Sequence, residues 1–345
     1  MNKWYEKITD QSDIYVASRI RLVRNLREYP FPCRLSDTVN GLLTDILQGV
    51  CKALEEELGR ELHSSTFAGF SALQMQALKE RRIINKSIQQ KKHPMGLTVS
   101  GDESLSIVYN GDDHIRMQVS VPGLSLEEAW RTANQVDDFY NKRFEYAFDE
   151  KLGYLTTFPT NAGTGMRGYV LLHLPFLSAG GGLQKLNREI SRYGLVIKGA
   201  FGDLEENPGD IVVLSNQKTL GISEADIMEV LTNIAAHLAS QEARLREKSL
   251  KQNYNLHQDR IYKAYGILKY ARMLELSEAL NCLSSLKWGI CNGLVETAAP
   301  TNCYRLMLEC QDANLQMLSD KPMEGEDLSR ARAEYIRKYL PDFVS

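Results

Sequence analysis

Between about residues 95 and 220 the chain carries five short runs rich in β-branched and aliphatic residues: LSIVYN, HIRMQVSV, RGYVLLHLP, GLVIKGAFG and DIVVLSNQ. Runs of this length, bounded by Gly, Asn and Pro, read as strands. Helical stretches, SLEEAWRTANQVDDFYNKRF and LQKLNREISRYG, intervene. The mixture predicts an α+β fold with a mostly antiparallel sheet flanked by helices. The flanks differ in texture. A polar, arginine-rich opening leads into VNGLLTDILQGVCKALEEELG, whose apolar residues recur at three and four and so predict helix. From Ser223, followed by acidic residues in SEADIMEV, a capped helix begins and runs long, and the remainder reads as further helices. The expected division is a core over 1–250, with a helical N-terminal part to about 80 and an α/β part from about 81, then a helical domain over 251–345. No Gly/Ser linker marks the boundary near 250, so the two are expected to pack through the long helix.

At 345 residues, 43% hydrophobic and 25% charged, the chain can bury a large core. A net charge of -3 argues against a chain-wide nucleic-acid footprint while leaving room for a local basic pocket. No apolar run approaches the roughly 18 residues of a membrane helix. The start, MNKWYEKITD, lacks the apolar segment of a signal peptide. The expectation is a cytoplasmic protein with neither nucleic-acid nor membrane partners. Its six cysteines form no CxxC pair and its six histidines are scattered, which predicts reduced thiols and no protein-ligated zinc.

The chemistry is suggested by cations. ASRIRLVRN holds Arg19, Arg21 and Arg24; DDHIRMQ holds His114 and Arg116; GTGMRG holds Arg167; IKGAFGD holds Lys198. Arg19 and Arg21 share a face if extended, because strand side chains repeat every two residues. Taken singly, each arginine reads as a surface or salt-bridged residue, GTG as a turn, and His114 as a structural histidine. Several arginines converging on one pocket, however, suit a polyphosphate, since a guanidinium fork pairs with phosphate oxygens at two points. GxxxxGK[ST], kinase HRD and DFG sets, and a GxGxxG leading from a strand into a helix are all missing, so arginines would replace the usual backbone cradle.

The segments ASRIRLVRNLREYPFP, NGDDHIRMQ, DFYNKRFEYAFDEKLGYLTTFPTNAGTGMRGYVLLHLP and VLSNQKTLGISEADI resemble, in order, the phosphagen (ATP:guanidino) kinase family. The nearer likeness is to its bacterial protein arginine kinase branch, which shares a tail similar to YGILKYARMLELSEALNCLSSLKWGI. The resemblance implies Mg2+ and ATP on the antiparallel sheet. Phosphates would be held at Arg19, Arg21, Arg116, Arg167 and Lys198, with His114 of the same DHIR motif in the nucleotide site. It implies transfer of the γ-phosphoryl group to arginine guanidinium groups of protein substrates. It further implies a Clp-type AAA+ protease and a zinc-containing activator as partners, a stress-response role, and a homodimer.

Against the family pattern, the two acceptor-gripping glutamates correspond to Asp112 and Asp203, a reactive cysteine to Phe158, and one phosphate-site arginine to Lys198. A base-contacting histidine is replaced near Ser87, with His93 as a substitute. In EDLSRARAEY, an echo of the phosphoarginine-sensing RDxxRA motif, Glu326 stands for the first arginine while Asp327, Arg330 and Ala331 remain. Each Glu-to-Asp change withdraws a carboxylate by roughly 1.5 Å, and about 1 Å of misplacement can cost on the order of 100-fold. Glu205 and Glu206 are available as replacement acids. Three readings follow: an active protein arginine kinase, a catalytically weakened ATP- or phosphoarginine-binding regulator, and a free-arginine kinase, which the helical tail disfavours.

Overall fold

In the computed structural model, which describes residues 2–9, 13–179 and 181–344, the SRIRLVR stretch is a strand, β1 (Tyr15–Arg24), and it lies in the middle of the main sheet. A period of two governs this stretch, so part of the expected helical N-terminal region belongs to the sheet; helices begin later, at Asp37–Gly49 and Cys51–Leu58. The other strands are β2 (Leu62–Thr66), β3 (Gly96–Ser100), β4 (Leu105–Tyr109), β5 (Ile115–Pro122), β6 (Phe148–Asp149), β7 (Gly153–Tyr154), β8 (Met166–His173), β9 (Leu195–Gly199) and β10 (Ile211–Asn216). β6 and β7 form a small separate hairpin. The rest make one sheet, β2-β3-β4-β5-β1-β8-β10-β9, antiparallel at every pairing.

Alternation sorts the side chains of this sheet. Ile20 and Leu22 of β1, Met117 and Val119 of β5, Val170 and Leu172 of β8 and Leu214 of β10 join one core with the helices Leu126–Asn141 and the first part of Glu224–Tyr270. Burying such a side chain contributes roughly 1.5–3 kcal/mol relative to exposure, so this face fixes the sheet. The opposite face is divided. At one end Leu97 and Val108 pack with Met75, Leu78, Ile83 and Ile88. At the other, Val16, Leu171 and Ile211 pack with Leu280, Leu283, Met307 and Ile336 of the C-terminal helices. Between the two apolar ends runs a polar strip.

The Ser223 side chain accepts from the Asp226 amide in a capping box and starts the helix Glu224–Tyr270, which runs through residue 250 and leaves helical geometry only at Asn253 (φ −135°, ψ 34°). The helices Leu276–Cys291, Cys303–Glu309, Asp312–Gln316 and Glu326–Tyr339 follow. Buried polar ties bind this region to the sheet. His173 of β8 meets the Ser284 hydroxyl at 2.8 Å, and Ser284 donates to Asp210 at 2.6 Å. Arg246 donates to Glu242 at 2.8 Å and to the His173 carbonyl at 3.0 Å. Among the described residues no helix is long and apolar enough to cross a membrane.

Candidate active site

The polar strip is assembled by strand register. Arg19 and Arg21 leave β1 on one face; Arg21 lies opposite Gln118 of β5 and Arg167 of β8, and Arg19 opposite Ser120 and Tyr169. Lys198 of β9 pairs with Val213 of β10, and Ser215 of β10 with Tyr169. These strands line an open cleft of about 420 Å³ walled by Arg21, Arg82, Arg167, Tyr169 and Lys198, with Phe158 and Asn161 at its rim. Among the described residues, none of those lining it is acidic.

One wall is the loop 159–165. Asn161 Oδ1 accepts from Arg21 Nη2 at 3.0 Å and from Arg167 Nε at 3.3 Å, so a single amide sets the spacing of two guanidinium groups. Arg167 also donates to the Asn216 carbonyl at 3.1 Å. The loop is pinned from behind: the Thr219 hydroxyl donates to the carbonyls of Thr160 and Ala162 at 3.0 and 2.7 Å. Gly163 sits at φ +102°, and a Cβ there would collide with the Thr219 carbonyl, which is why this position needs glycine. Arg24, the third arginine of the opening motif, faces away from the cleft. It donates to Asp137 and to the carbonyls of Val23 and Thr164 at 2.9 and 3.0 Å.

The cleft is electrostatically unsatisfied. Burial first, then the like charge of Arg21, pulls the Arg116 guanidinium down to about 9. Arg19 falls to about 10, by burial and then the charge of Arg82. The Tyr169 phenol shows the reverse: burial would raise it, but Arg21, Arg116, Arg167 and Arg19 outweigh that and hold it below a tyrosine's ordinary value. Arg21 Nε, Arg82 Nε and Arg116 Nε are buried without a hydrogen-bond partner. Buried charges without counter-charge are costly, so this is a pocket that an anion with many oxygens would relieve.

Of the residues expected from sequence, Arg21, Arg167 and Lys198 line the cleft, and Arg19 and Arg116 stand behind it, donating to Ser120 at 2.9 Å and to Gln118 at 2.9 Å. His114 does not join them. It is fully buried; Nδ1 accepts from the Leu26 amide at 3.0 Å and Nε2 meets the Pro30 carbonyl at 3.1 Å, so both ring nitrogens are committed to structure. Asp112 lies beside the rim, where its carbonyl accepts from Thr157, and its carboxylate is held by Lys91 at 3.1 Å and Ser87 at 2.7 Å. Ser87 is therefore a partner of Asp112, and His93 Nε2 donates to the Asn110 carbonyl in a different cleft. Asp203 is exposed and lies with Glu206, Ser277 and Asn281 in a neighbouring cleft, while Glu205 meets Gln184. Asp327 and Arg330 are exposed on the helix Glu326–Tyr339, where Arg330 meets Glu326 at 3.5 Å; the buried arginine of that helix is Arg332. Arg82, Asn161 and Gln118 were not among the expected site residues. Asn161 stood within the quoted loop; nothing in the local pattern of KERRIINK distinguishes Arg82.

Comparison with known proteins finds matches along most of the chain. The family described as ATP:guanido phosphotransferase, C-terminal catalytic domain, matches residues 45–245, and the one described as Protein-arginine kinase McsB C-terminal domain matches residues 254–344. A protein-arginine kinase of Syntrophomonas wolfei subsp. wolfei is 38% identical over 96% of this chain and 92% of its own length. Another, of Brevibacillus brevis, is 34% identical over 98% and 95%. Among solved structures, a lombricine kinase superposes with a TM-score of 0.57 over 71% of each chain at 18% identity, a likeness of fold.

Proposed function

This chain belongs to the ATP:guanido phosphotransferase family, in its protein-arginine kinase branch, and from that premise we propose how its own residues move the γ-phosphoryl group of ATP to arginine guanidinium groups in proteins. The observation that carries the proposal is the cleft: cations from β1, β8 and β9 and from the turn at Arg82, three buried guanidinium Nε atoms without partners, and, among the described residues, no acidic lining residue. Arg21 and Arg167, spaced by Asn161, take the phosphates, and Lys198 adds a point charge from β9. Because the lining offers no carboxylate, Mg2+ would be carried on the nucleotide's phosphates, where it neutralises their charge.

In the transfer, a bond forms between a guanidinium nitrogen and the γ-phosphorus while the bond to the β-phosphate oxygen breaks; ADP leaves and the nitrogen's proton passes to a carboxylate. The moving group is loose and metaphosphate-like, so alignment and charge neutralisation supply most of the acceleration. The acceptor stays protonated at neutral pH and needs a carboxylate to grip and deprotonate it. Asp112, tied through its carbonyl to Thr157 next to Phe158, takes that role, and an entering guanidinium competes there with the Lys91 ammonium. Protein substrates with exposed arginines fit an open rim, and we place the reaction in the cytoplasm.

The test is incubation with Mg-ATP and an unfolded arginine-containing protein, followed by mass spectrometry under mild pH for acid-labile phosphoarginine. A signal lost in Asp112→Ala supports the assignment; ATP binding with no signal sinks it. That second result would favour an ATP-dependent regulator, a reading supported by one observation: Asp203 opens onto a different cleft from the arginines.

A further inference from the structure

Arg82 follows the helix Ala72–Glu80 and lies outside every motif singled out above. Its backbone has φ +63°, the left-handed region that a residue with a Cβ adopts only when its surroundings hold it there. The surroundings do so. Its amide donates to the Lys79 carbonyl at 2.9 Å, and the Gln118 amide group donates to the Arg82 carbonyl at 2.8 Å. Gln118 in turn accepts from Arg116 at 2.9 Å, so one glutamine holds the backbone of Arg82 and the head of Arg116. Next in sequence, Ile83 and Ile84 are 3% exposed and act as anchors.

From this turn the Arg82 side chain lines the cleft beside the end of β9. Its Nη2 donates to the Ala200 carbonyl, its guanidinium lies 5.5 Å from the Phe201 ring centroid, and its Nε is buried without a partner. A purely structural arginine would use its fork on a carboxylate or on several carbonyls, as Arg24 does. Arg82 instead spends one nitrogen on a neutral carbonyl, a weaker acceptor than a phosphate oxygen, and that carbonyl opens the loop leading to Asp203.

We propose that Arg82 is a nucleotide-binding residue of this chain, whose guanidinium exchanges the Ala200 carbonyl for oxygens of the bound polyphosphate and so couples occupancy of the cleft to release of the segment 200–206. The inference rests on reading the cleft as an ATP site. It adds a cation that comes from outside the sheet and accounts for a strained backbone at a position with no other evident use.

The experiment uses the full chain and isothermal titration with Mg-ATP, inorganic tripolyphosphate and AMP, comparing the wild type with Arg82→Ala, Arg82→Lys and, as a cleft control, Arg167→Ala. Arg82→Ala is expected to weaken ATP and tripolyphosphate about tenfold or more, as for one charge-assisted contact, with a smaller effect on AMP and part of the loss restored by lysine. Amide hydrogen exchange in 200–206 is expected to rise on ATP binding in the wild type, and to be already high and unresponsive in Arg82→Ala. Binding lost in Arg167→Ala but unchanged in Arg82→Ala would overturn this inference alone. An equal loss for all three ligands, with a lowered melting temperature of the unliganded variant, would also overturn it by assigning Arg82 a structural role. A wild type that binds neither ATP nor tripolyphosphate would remove the ATP reading and this one together. Should Arg82→Ala fail to fold, Arg82→Gln carries the same comparison.

Discussion

Replacing Arg24 by methionine tests how the cleft's loop is held. Arg24 is 1% exposed; its Nε reaches both Asp137 oxygens at 3.0 and 3.1 Å, Nη2 reaches Oδ2 at 2.6 Å, and Nη1 serves the carbonyls of Val23 and Thr164. The Tyr154 ring centroid lies 3.6 Å from the guanidinium. Arg24→Met keeps much of the volume but leaves Asp137, 6% exposed, as a buried charge without its partner. Breaking a buried pair from one side costs about 3–5 kcal/mol, against about 5–15 kcal/mol for the stability of a typical protein. The assay is equilibrium unfolding in urea, followed by circular dichroism and by tryptophan fluorescence, to which Trp130 contributes from the same helix as Asp137. The midpoint should fall by the equivalent of that loss. The double variant Arg24→Met/Asp137→Leu should recover most of it, because an apolar pair carries no desolvation cost. Because Arg24 also holds the Thr164 carbonyl, the single variant should bind ATP more weakly even where it is folded. A single variant as stable as the wild type, or a double no better than the single, would refute the reasoning.

Gly163→Ala should weaken ATP binding while leaving the sheet folded, since a methyl group at φ +102° drives the loop off Thr219; a titration equal to wild type would count against that. Lys91→Ala removes the cation now seated on Asp112 and should lower the KM for a guanidinium acceptor, whereas Asp112→Asn should lower turnover about 100-fold or more; steady-state phosphoarginine formation separates the two. Burial pulls His114 down from 6.5 to about 4, so below 6.5 the unfolded chain takes up a proton that the folded chain refuses. The stability owed to this group is therefore complete above 6.5 and declines as pH falls toward about 4, by about 3 kcal/mol in all; His173, also held low by burial, acts in the same direction. Unfolding free energy measured across that range should slope accordingly, and His114→Asn should flatten part of the slope at the cost of overall stability.

Much of the frame was legible from the chain alone. The five β-rich runs between 95 and 220 all lie in the sheet, and its pairings are antiparallel. Ser223 caps the long helix as its sequence pattern predicts. The shared face of Arg19 and Arg21 followed from a period of two. These are properties of neighbours along the chain, where side-chain direction repeats with the local backbone geometry, and so the order of residues suffices to state them.

What gathers at the cleft is not of that kind. Arg19, Arg116, Arg167 and Lys198 share one face because β5, β1, β8, β10 and β9 pair in a particular register, and a slip of one residue would turn each side chain to the other face. His114, two residues from Arg116 in the same motif, is instead absorbed by Leu26 and Pro30, because the motif begins before the strand does. Asp203 opens beside the C-terminal helices, and Arg82 enters from a turn whose left-handed backbone is held by a glutamine of β5. Sequence alone determined the strands between 95 and 220, the long capped helix and the segments that carry the cations, since local periodicity encodes them; only the tertiary structure decided that the opening arginine stretch joins the sheet, which cations meet, which carboxylates stand apart, and which arginine arrives unannounced, because those depend on hydrogen bonds and close contacts between residues far apart in the chain.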